Sequence, residues 1–498
     1  MNVNPITRLD YPDPDVIRVE DTYYMVSTTM HFMPGCEILQ SFDLVHWEHV
    51  TYVYETLDHT DAQQLKSGQN IYGQGMWAAS LRYHEGRFCI CFVANDTRKT
   101  YLYTSEKIDG PWKKQLIEGF YHDGSLLFDE DGRNYIVYGN DEIWITELNE
   151  DLTAPKKDGL HRLLVSDHKN PELGYEGSHI QKINGYYYIF LIHSLRDRWM
   201  RTEACFYSDS LEGEFTGGDV LCDDRGYCGQ GVAQGGIVDT PDGKWYAMLF
   251  QDSGAVGRIP ILLPVTWKDH FPFFGQNGHV PEEIEVHSTR PGYIYQPLVG
   301  SDDFCNGLLP RWQFNHDPDP RYYHLDALQG TYTITTREVC TELTQAVNTL
   351  TQRMGYPSCA AEVTVDASAL KEGDVAGLCA LQSCYAAVGI TKHHGKYEVL
   401  MLDKKEDGIL DMTEGTVVES HQMDFRLEAD FCNMKDEARC YYRVNKGDWL
   451  PIGTVHKLYF KLDHFTGCRF GLFCYAAEET GGSACFRDFK YYDVDEIS

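Results

Sequence analysis

Short apolar or alternating runs, separated by Gly, Asp and Asn turns, fill this chain, and the i, i+3, i+4 spacing of an amphipathic helix is scarce. One unit recurs: an Asp- or Gly-type turn, then one or two aromatics, then an apolar strand. It reads Asp21-Thr22-Tyr23-Tyr24-Met25, Glu85-Gly86-Arg87-Phe88-Cys89, Asp131-Gly132-Arg133-Asn134-Tyr135, Asn184-Gly185-Tyr186-Tyr187-Tyr188 and Asp242-Gly243-Lys244-Trp245-Tyr246. The anchors Tyr24, Phe88, Tyr135, Tyr187 and Tyr246 lie 64, 47, 52 and 59 residues apart. Four-stranded units at such periods predict an all-β, five-bladed β-propeller over residues 1–285. Residues 286–300, containing Arg290-Pro291-Gly292, read as a linker. Residues 301–498 read as a β-sandwich of concanavalin-like jelly-roll type. There Phe425, Leu427, Ala429 and Phe431 alternate with Arg426, Glu428 and Asp430, Asn445-Lys446-Gly447-Asp448 marks a hairpin turn, and residues 457–462 read as a further strand.

Composition narrows the function. The chain has 498 residues, 75 acidic against 43 basic, for a net charge of -32. Such a balance argues against nucleic acid or an anionic membrane as partner, and suits a small neutral oligosaccharide. It leaves a homo-oligomer open. The first five residues carry neither a basic nor an apolar leader region, and no run is long and apolar enough to span a bilayer. The 16 Cys lack metal-finger spacing, and many lie inside strand-like runs, as expected of reduced thiols in a cytoplasmic protein.

Counting back 11 or 12 residues from each anchor reaches Asp13, Trp77, Asp123, Glu176 and Gln234. In a propeller, equivalent positions form a ring, here expected at one mouth of the central channel. Asp13 lies between Pro12 and Pro14, so an extended, stiff backbone is expected for it. Three carboxylic acids in one ring repel one another and resist burial, which a purely structural ring would avoid. Two carboxyls flanking a bond, with a third tuning one of them, are what glycoside hydrolysis needs. Trp77 offers an apolar face to a sugar, and Gln234 can bond hydroxyls. The carboxyl separation that decides inversion or retention is not written in a sequence.

The same residues carry a resemblance. Tyr11-Pro12-Asp13-Pro14-Asp15-Val16, Met76-Trp77-Ala78-Ala79, His122-Asp123-Gly124-Ser125-Leu126, Tyr175-Glu176-Gly177-Ser178-His179 and Gly257-Arg258-Ile259-Pro260, in this order, resemble the motifs of glycoside hydrolase family 43. The resemblance implies an inverting mechanism with Asp13 as general base, Glu176 as general acid and Asp123 raising and orienting that acid. It also implies that Arg258 binds substrate hydroxyls, that Phe32 and Trp77 wall the sugar subsite, and that the chemistry requires no cofactor. Gln234 stands near a position where many members carry a His, which in some helps hold a central ion; the resemblance therefore leaves the metal open. Trp312-Gln313-Phe314-Asn315-His316 and Leu350-Thr351-Gln352-Arg353 are similar to the sandwich of the family's β-xylosidase branch, in which a sandwich loop can close one side of the site. Asp302, Asp303 and Asp488 are candidates for a structural Ca²⁺. The expected function is an exo-acting β-1,4-xylosidase on xylo-oligosaccharides, with α-L-arabinofuranosidase activity second or combined. The rivals are a noncatalytic carbohydrate-binding propeller and a propeller phosphorylase; the latter lacks a basic cluster beyond Arg258.

Overall fold

The structure, a computed structural model, describes residues 2–413 and 415–493. Met1, Glu414 and residues 494–498, the ends of the expected domains among them, lie outside the described residues. Five four-stranded antiparallel sheets follow one another. Blade one is Asp15–Val19, Thr22–Ser27, Gly35–Ser41 and Glu48–Tyr54; blade two is Ser80–His84, Arg87–Ala94, Lys99–Ser105 and Lys113–Ile117. Blade three is Ser125–Phe128, Asn134–Asn140, Glu142–Leu148 and His161–Ser166. Blade four is Glu176–Ile183, Tyr186–Ser194, Arg201–Ser208 and Thr216–Leu221, and blade five is Ala233–Asp239, Trp245–Asp252, Arg258–Lys268 and Phe271–Phe274. Each recurring aromatic lies on a second strand, where the hairpin turns it into the sheet. Two of these turns, Glu85-Gly86 and Asn184-Gly185, have both residues at positive φ (48° and 77°; 50° and 85°), the twist a tight hairpin demands.

Apolar layers between blades hold the ring together. Val26 and Ile38 meet Leu81 and Phe92; Cys91 meets Leu126; Val137 meets Ile180; Phe190 meets Ile237; and Val238 with Met248 meets Val16 and Met25, which closes the circle. No blade borrows a strand from another, so closure falls to this last layer and to Asn4. Its amide donates to the Leu262 carbonyl at 2.8 Å and accepts from the Leu262 N–H at 3.0 Å. On the axis lies Arg82. All five N–H groups of its guanidinium have partners: the Leu126, Leu81 and Ile180 carbonyls, Ser125 Oγ and Asp15 Oδ2. Asp15 also receives His179 Nδ1 at 3.1 Å. Burial resists the charge on Asp15, but Arg82 and His179 outweigh it and hold the carboxyl below its usual range.

The second domain packs two sheets face to face. One runs Leu410–Met412, Lys396–Lys404, Ala386–His393, Val375–Leu381, Arg469–Tyr475, Leu350–Arg353, Gln313–Asn315; Thr416–Val418 also pairs with Lys396–Lys404. The other runs Tyr323–Asp326, Thr331–Thr335, Ser483–Asp493, Ser358–Asp366, Gln422–Asp430, Glu437–Val444, Leu450–Lys457. Phe425, Leu427, Ala429 and Phe431 all face its core. The first sheet is extended by Phe32–Met33 of the propeller, with Phe314 opposite Met33. Ala255, Val256 and Ile259 of the propeller join the sandwich core. Residues 457–462 are not the expected strand. The strand is Leu450–Lys457, and the chain then leaves the sheet as a loop. Leu458 is buried while Leu462 is exposed, so the apparent alternation reflects an anchor and a loop tip rather than a sheet face.

Candidate active site

The five inner strands begin at one end of the channel. Three cross-blade bonds set their register: Leu81 N–H to Asp15 Oδ2 (2.7 Å), Leu126 N–H to Ser80 Oγ (3.1 Å) and Ile180 N–H to Ser125 Oγ (3.0 Å). Asp15, Ser80 and Ser125 are therefore equivalent. Two residues earlier stand Asp13, Ala78 and Asp123, and the positive-φ residues Gly177 and Gln234 match Asp13 and Asp123 in blades four and five (52°, 47°, 64° and 61°). Trp77 and Glu176 precede that position by one, as His122 does. The ring counted from the sequence thus mixes two adjacent levels. The expectation of an extended Asp13 is also corrected, because its φ is +52°. Two side chains hold it in this unfavourable region: Thr28 Oγ1 donates to Oδ2 at 2.6 Å, and Arg258 Nη1 donates to Oδ1 at 2.9 Å.

All three carboxyls stand at the starts of these inner strands. Asp123 is buried and accepts the Gly177 N–H at 3.0 Å. Glu176 is more open and accepts Asn140 Nδ2 at 2.8 Å. Between them sits His122, its Nε2 at 3.5 Å from Asp123 Oδ2 and 3.4 Å from Glu176 Oε2. Burial opposes a charge on this imidazole, but Asp123, the bond to Glu176 and the more distant Asp13 push its pKa up to about 9. Burial raises Asp123 to about 6; the His122 charge works against this, and Glu176 and Asp13 reinforce it. One acid is thus pushed away from ionisation in a site with two further carboxyls, the disposition expected of acid/base machinery. Gly177 is required here twice over: its φ is +64°, and an added Cβ would lie 2.7 Å from Gln234 Cγ. Gln234 therefore lies against the residue that follows Glu176, and its own N–H is held by the buried Glu203 at 2.7 Å.

Trp77 is partly open, with its ring 5.9 Å from His122 and 5.5 Å from Phe465. Phe465 comes from the sandwich, on the loop that follows Leu450–Lys457. Asp10 fastens this loop, accepting the Gly467 and Arg258 N–H groups on its two oxygens, each at 2.7 Å. The Arg258 guanidinium lies 4.4 Å from the Phe465 ring centre. Phe465 is therefore the sandwich residue at the mouth, and only an aromatic before Thr466-Gly467 signalled it. His122 was visible as the neighbour of Asp123, but nothing in the spacing aimed it at Glu176. Phe32 does not wall the sugar site. It is 1% exposed, packs with Leu343, Cys379 and Phe473 of the sandwich, and lies 3.4 Å beneath the Arg469 guanidinium. Its strand pairs with the second domain, which turns the side chain out of the mouth.

His122, Asp123 and Glu176 present ligand atoms within 4.8 Å of one another, close enough for one cation. The fit is poor. The carboxylate oxygens beside the imidazole already accept from Gly177 and Asn140. Asp302, Asp303 and Asp488, the candidates for calcium, line one surface pocket, where the two Asp302 oxygens accept the Phe304 N–H and Trp312 Nε1–H.

Comparison with known proteins agrees with this architecture. The profile of glycosyl hydrolases family 43 matches residues 3–272, and that of the beta xylosidase C-terminal concanavalin A-like domain matches residues 301–492. The chain belongs to glycosyl hydrolase family 43 and is a glycoside hydrolase. A protein of Formosa agariphila named beta-xylosidase is 26% identical, with 99% of this chain and 89% of that protein aligned. A xylosidase/arabinosidase of Butyrivibrio fibrisolvens is 23% identical over 99% of both. Among solved structures, a bifunctional GH43-CE protein of Bacteroides eggerthii superposes with a TM-score of 0.93 at 42% identity; this chain is covered completely and spans 64% of that protein's length. An engineered family 43 enzyme described as having endo-xylanase and exo-arabinofuranosidase activity superposes at 0.86 with 27% identity, with 99% of each chain covered.

Proposed function

We propose that the chain is an exo-acting, inverting glycosidase that releases terminal xylose from xylo-oligosaccharides, with α-L-arabinofuranosidase activity as a companion. The observation that carries this reading is the mouth itself: Asp13 held by Arg258 and Thr28 on blade one, with Asp123 and Glu176 sharing His122 on blades three and four. Asp13 takes a proton from water as its oxygen bonds to the anomeric carbon. The glycosidic C–O bond breaks, and its electron pair takes the proton of Glu176. Asp123 adds negative charge beside that acid and orients the Gly177 turn that follows it. Phe465, Arg258 and Trp77 form the wall that bounds the terminal sugar.

The arabinofuranoside reading is supported by relatives whose names pair xylosidase with arabinosidase. A cytoplasmic location, with imported oligosaccharides as substrate, accompanies the proposal and is supported by 16 free cysteines. Xylobiose hydrolysis, abolished in both Asp13→Ala and Glu176→Ala, tests it. A wild type inert on aryl xylosides and arabinofuranosides alike would sink it.

A further inference from the structure

The leaving group of a hydrolysed glycoside departs on the side of the acid that protonates it. Here that side is blades three and four, where Glu176 and Asn140 lie. Phe465 bridges Arg258 of blade five and Trp77 at the entry to blade two. Glu176 pairs with Ile192 on the neighbouring strand, so Ser194 and the residues after it continue past Glu176 at the mouth end of blade four.

The loop that follows carries Trp199, which at 44% is the one exposed tryptophan among the described residues. The loop is pinned at several points. Leu195 N–H reaches the Met200 carbonyl, Ser194 Oγ accepts the Met200 N–H at 2.8 Å, and Arg196 pairs with Asp167. An exposed indole on a braced loop has already lost the mobility that stacking would otherwise cost. Arg201 lies 5.5 Å from the Trp199 ring and 5.2 Å from the Phe250 ring; Arg258 stands 5.4 Å from the same Phe250. A chain of ring and guanidinium contacts therefore ties Trp199 to the wall of the sugar site.

We propose that Trp199 is the platform of a leaving-group subsite, which stacks the second pyranose of a xylo-oligosaccharide. The proposal rests on the hydrolase reading above. Pyranose faces are apolar, and an indole buries them while the ring hydroxyls stay in water. The Arg201 guanidinium, already paired with Asp252, backs the platform and does not demand an acidic ligand.

The test compares wild type, Trp199→Ala and Trp199→Phe on xylotriose and on β-D-xylosyl fluoride, whose leaving group is too small to reach the platform. In Trp199→Ala, kcat/KM for xylotriose is expected to fall about tenfold, the effect of one lost stacking contact of about 1.4 kcal/mol. The fluoride rate and Tm are expected to hold, and Trp199→Phe should recover most of the loss. Equal losses on both substrates, or none on either, would overturn the subsite while leaving the hydrolase reading intact. A wild type inert on both substrates would instead remove the reading on which the subsite rests.

Discussion

Asp13 and Arg258 face each other across the junction of blades one and five, Nη1 to Oδ1 at 2.9 Å, and neither side chain is more than 7% exposed. A charged pair so deeply buried is costly to break, because the surviving partner is left without compensation. Arg258 also touches Phe465 and accounts for half of the Asp10 clamp. One arginine thus aligns the proposed base, the sugar wall and the domain junction. Arg258→Met is expected to lower kcat/KM by about a hundredfold or more, with Arg258→Lys intermediate, since a lysine keeps the charge but not the planar fork. Steady-state kinetics on an aryl xyloside checks this.

The two outer carboxyls should separate by leaving group. Glu176→Gln loses proton donation, which matters little when the leaving group is an activated dinitrophenolate. Its deficit is expected to shrink from about 10³-fold on xylobiose to about tenfold or less on the activated substrate. Asp13→Asn is expected to stay crippled on both. Parallel deficits for the two variants would reverse or erase the assignment.

Asp123 carries a pH signature. Its folded pKa of about 6 lies above the ordinary 3.8, so its ionisation disfavours the fold. The sign follows: this contribution to stability is full below about pH 4 and is lost as pH rises through about 6. Asp123→Asn is expected to lose activity by about 10²-fold or more, yet to melt no lower than wild type at pH 7. Calorimetry across pH 4–8 checks this; a lower Tm for the variant at pH 7 would contradict it.

The domain junction should fail in acid. Burial opposes the charge of Glu37, but Arg353 at 2.8 Å and His49 bring its pKa down to about 2. This stabilisation is present above the ordinary value of 4.5 and disappears as pH falls towards 2. Nearby, His31, His316 and His464 pack with Tyr72 in a buried cluster, and burial above all holds all three below the usual imidazole value. Uptake of protons by the unfolded chain then erodes stability as pH drops below 6.5. Arg353→Met is expected to cost about 3–5 kcal/mol of unfolding free energy at pH 7 and to flatten the acid limb, as measured by denaturant titration.

The propeller was legible because its signal is local: Tyr24, Phe88, Tyr135, Tyr187 and Tyr246 each sit beside a turn whose chemistry is written in adjacent residues. Asp13, Asp123 and Glu176 were legible through motif order. The one-residue slip of Trp77 and Glu176 was not, because the anchors differ in register: Tyr24 and Tyr135 stand two residues before the partners of Asp15 and Ser125, whereas Phe88 and Tyr187 stand three residues before the partners of Ser80 and His179, and neighbouring aromatics in a strand do not reveal which one holds the equivalent place. Phe32 misled for a different reason: its strand completes a sheet of the other domain, a partner more than 270 residues away. Phe465 was hidden by the same separation. Residues 457–462 show the limit of alternation as a guide, since a loop with one buried anchor, Leu458, can mimic a half-buried strand.

The most direct measurement is the anomer of the first product. Proton NMR during early hydrolysis of a β-D-xyloside is expected to show α-xylose first, with the β form appearing only by mutarotation, and an aryl α-L-arabinofuranoside is expected to be hydrolysed more slowly. β-Xylose appearing first would contradict the water-activating role of Asp13, and no hydrolysis of either sugar would contradict the whole account.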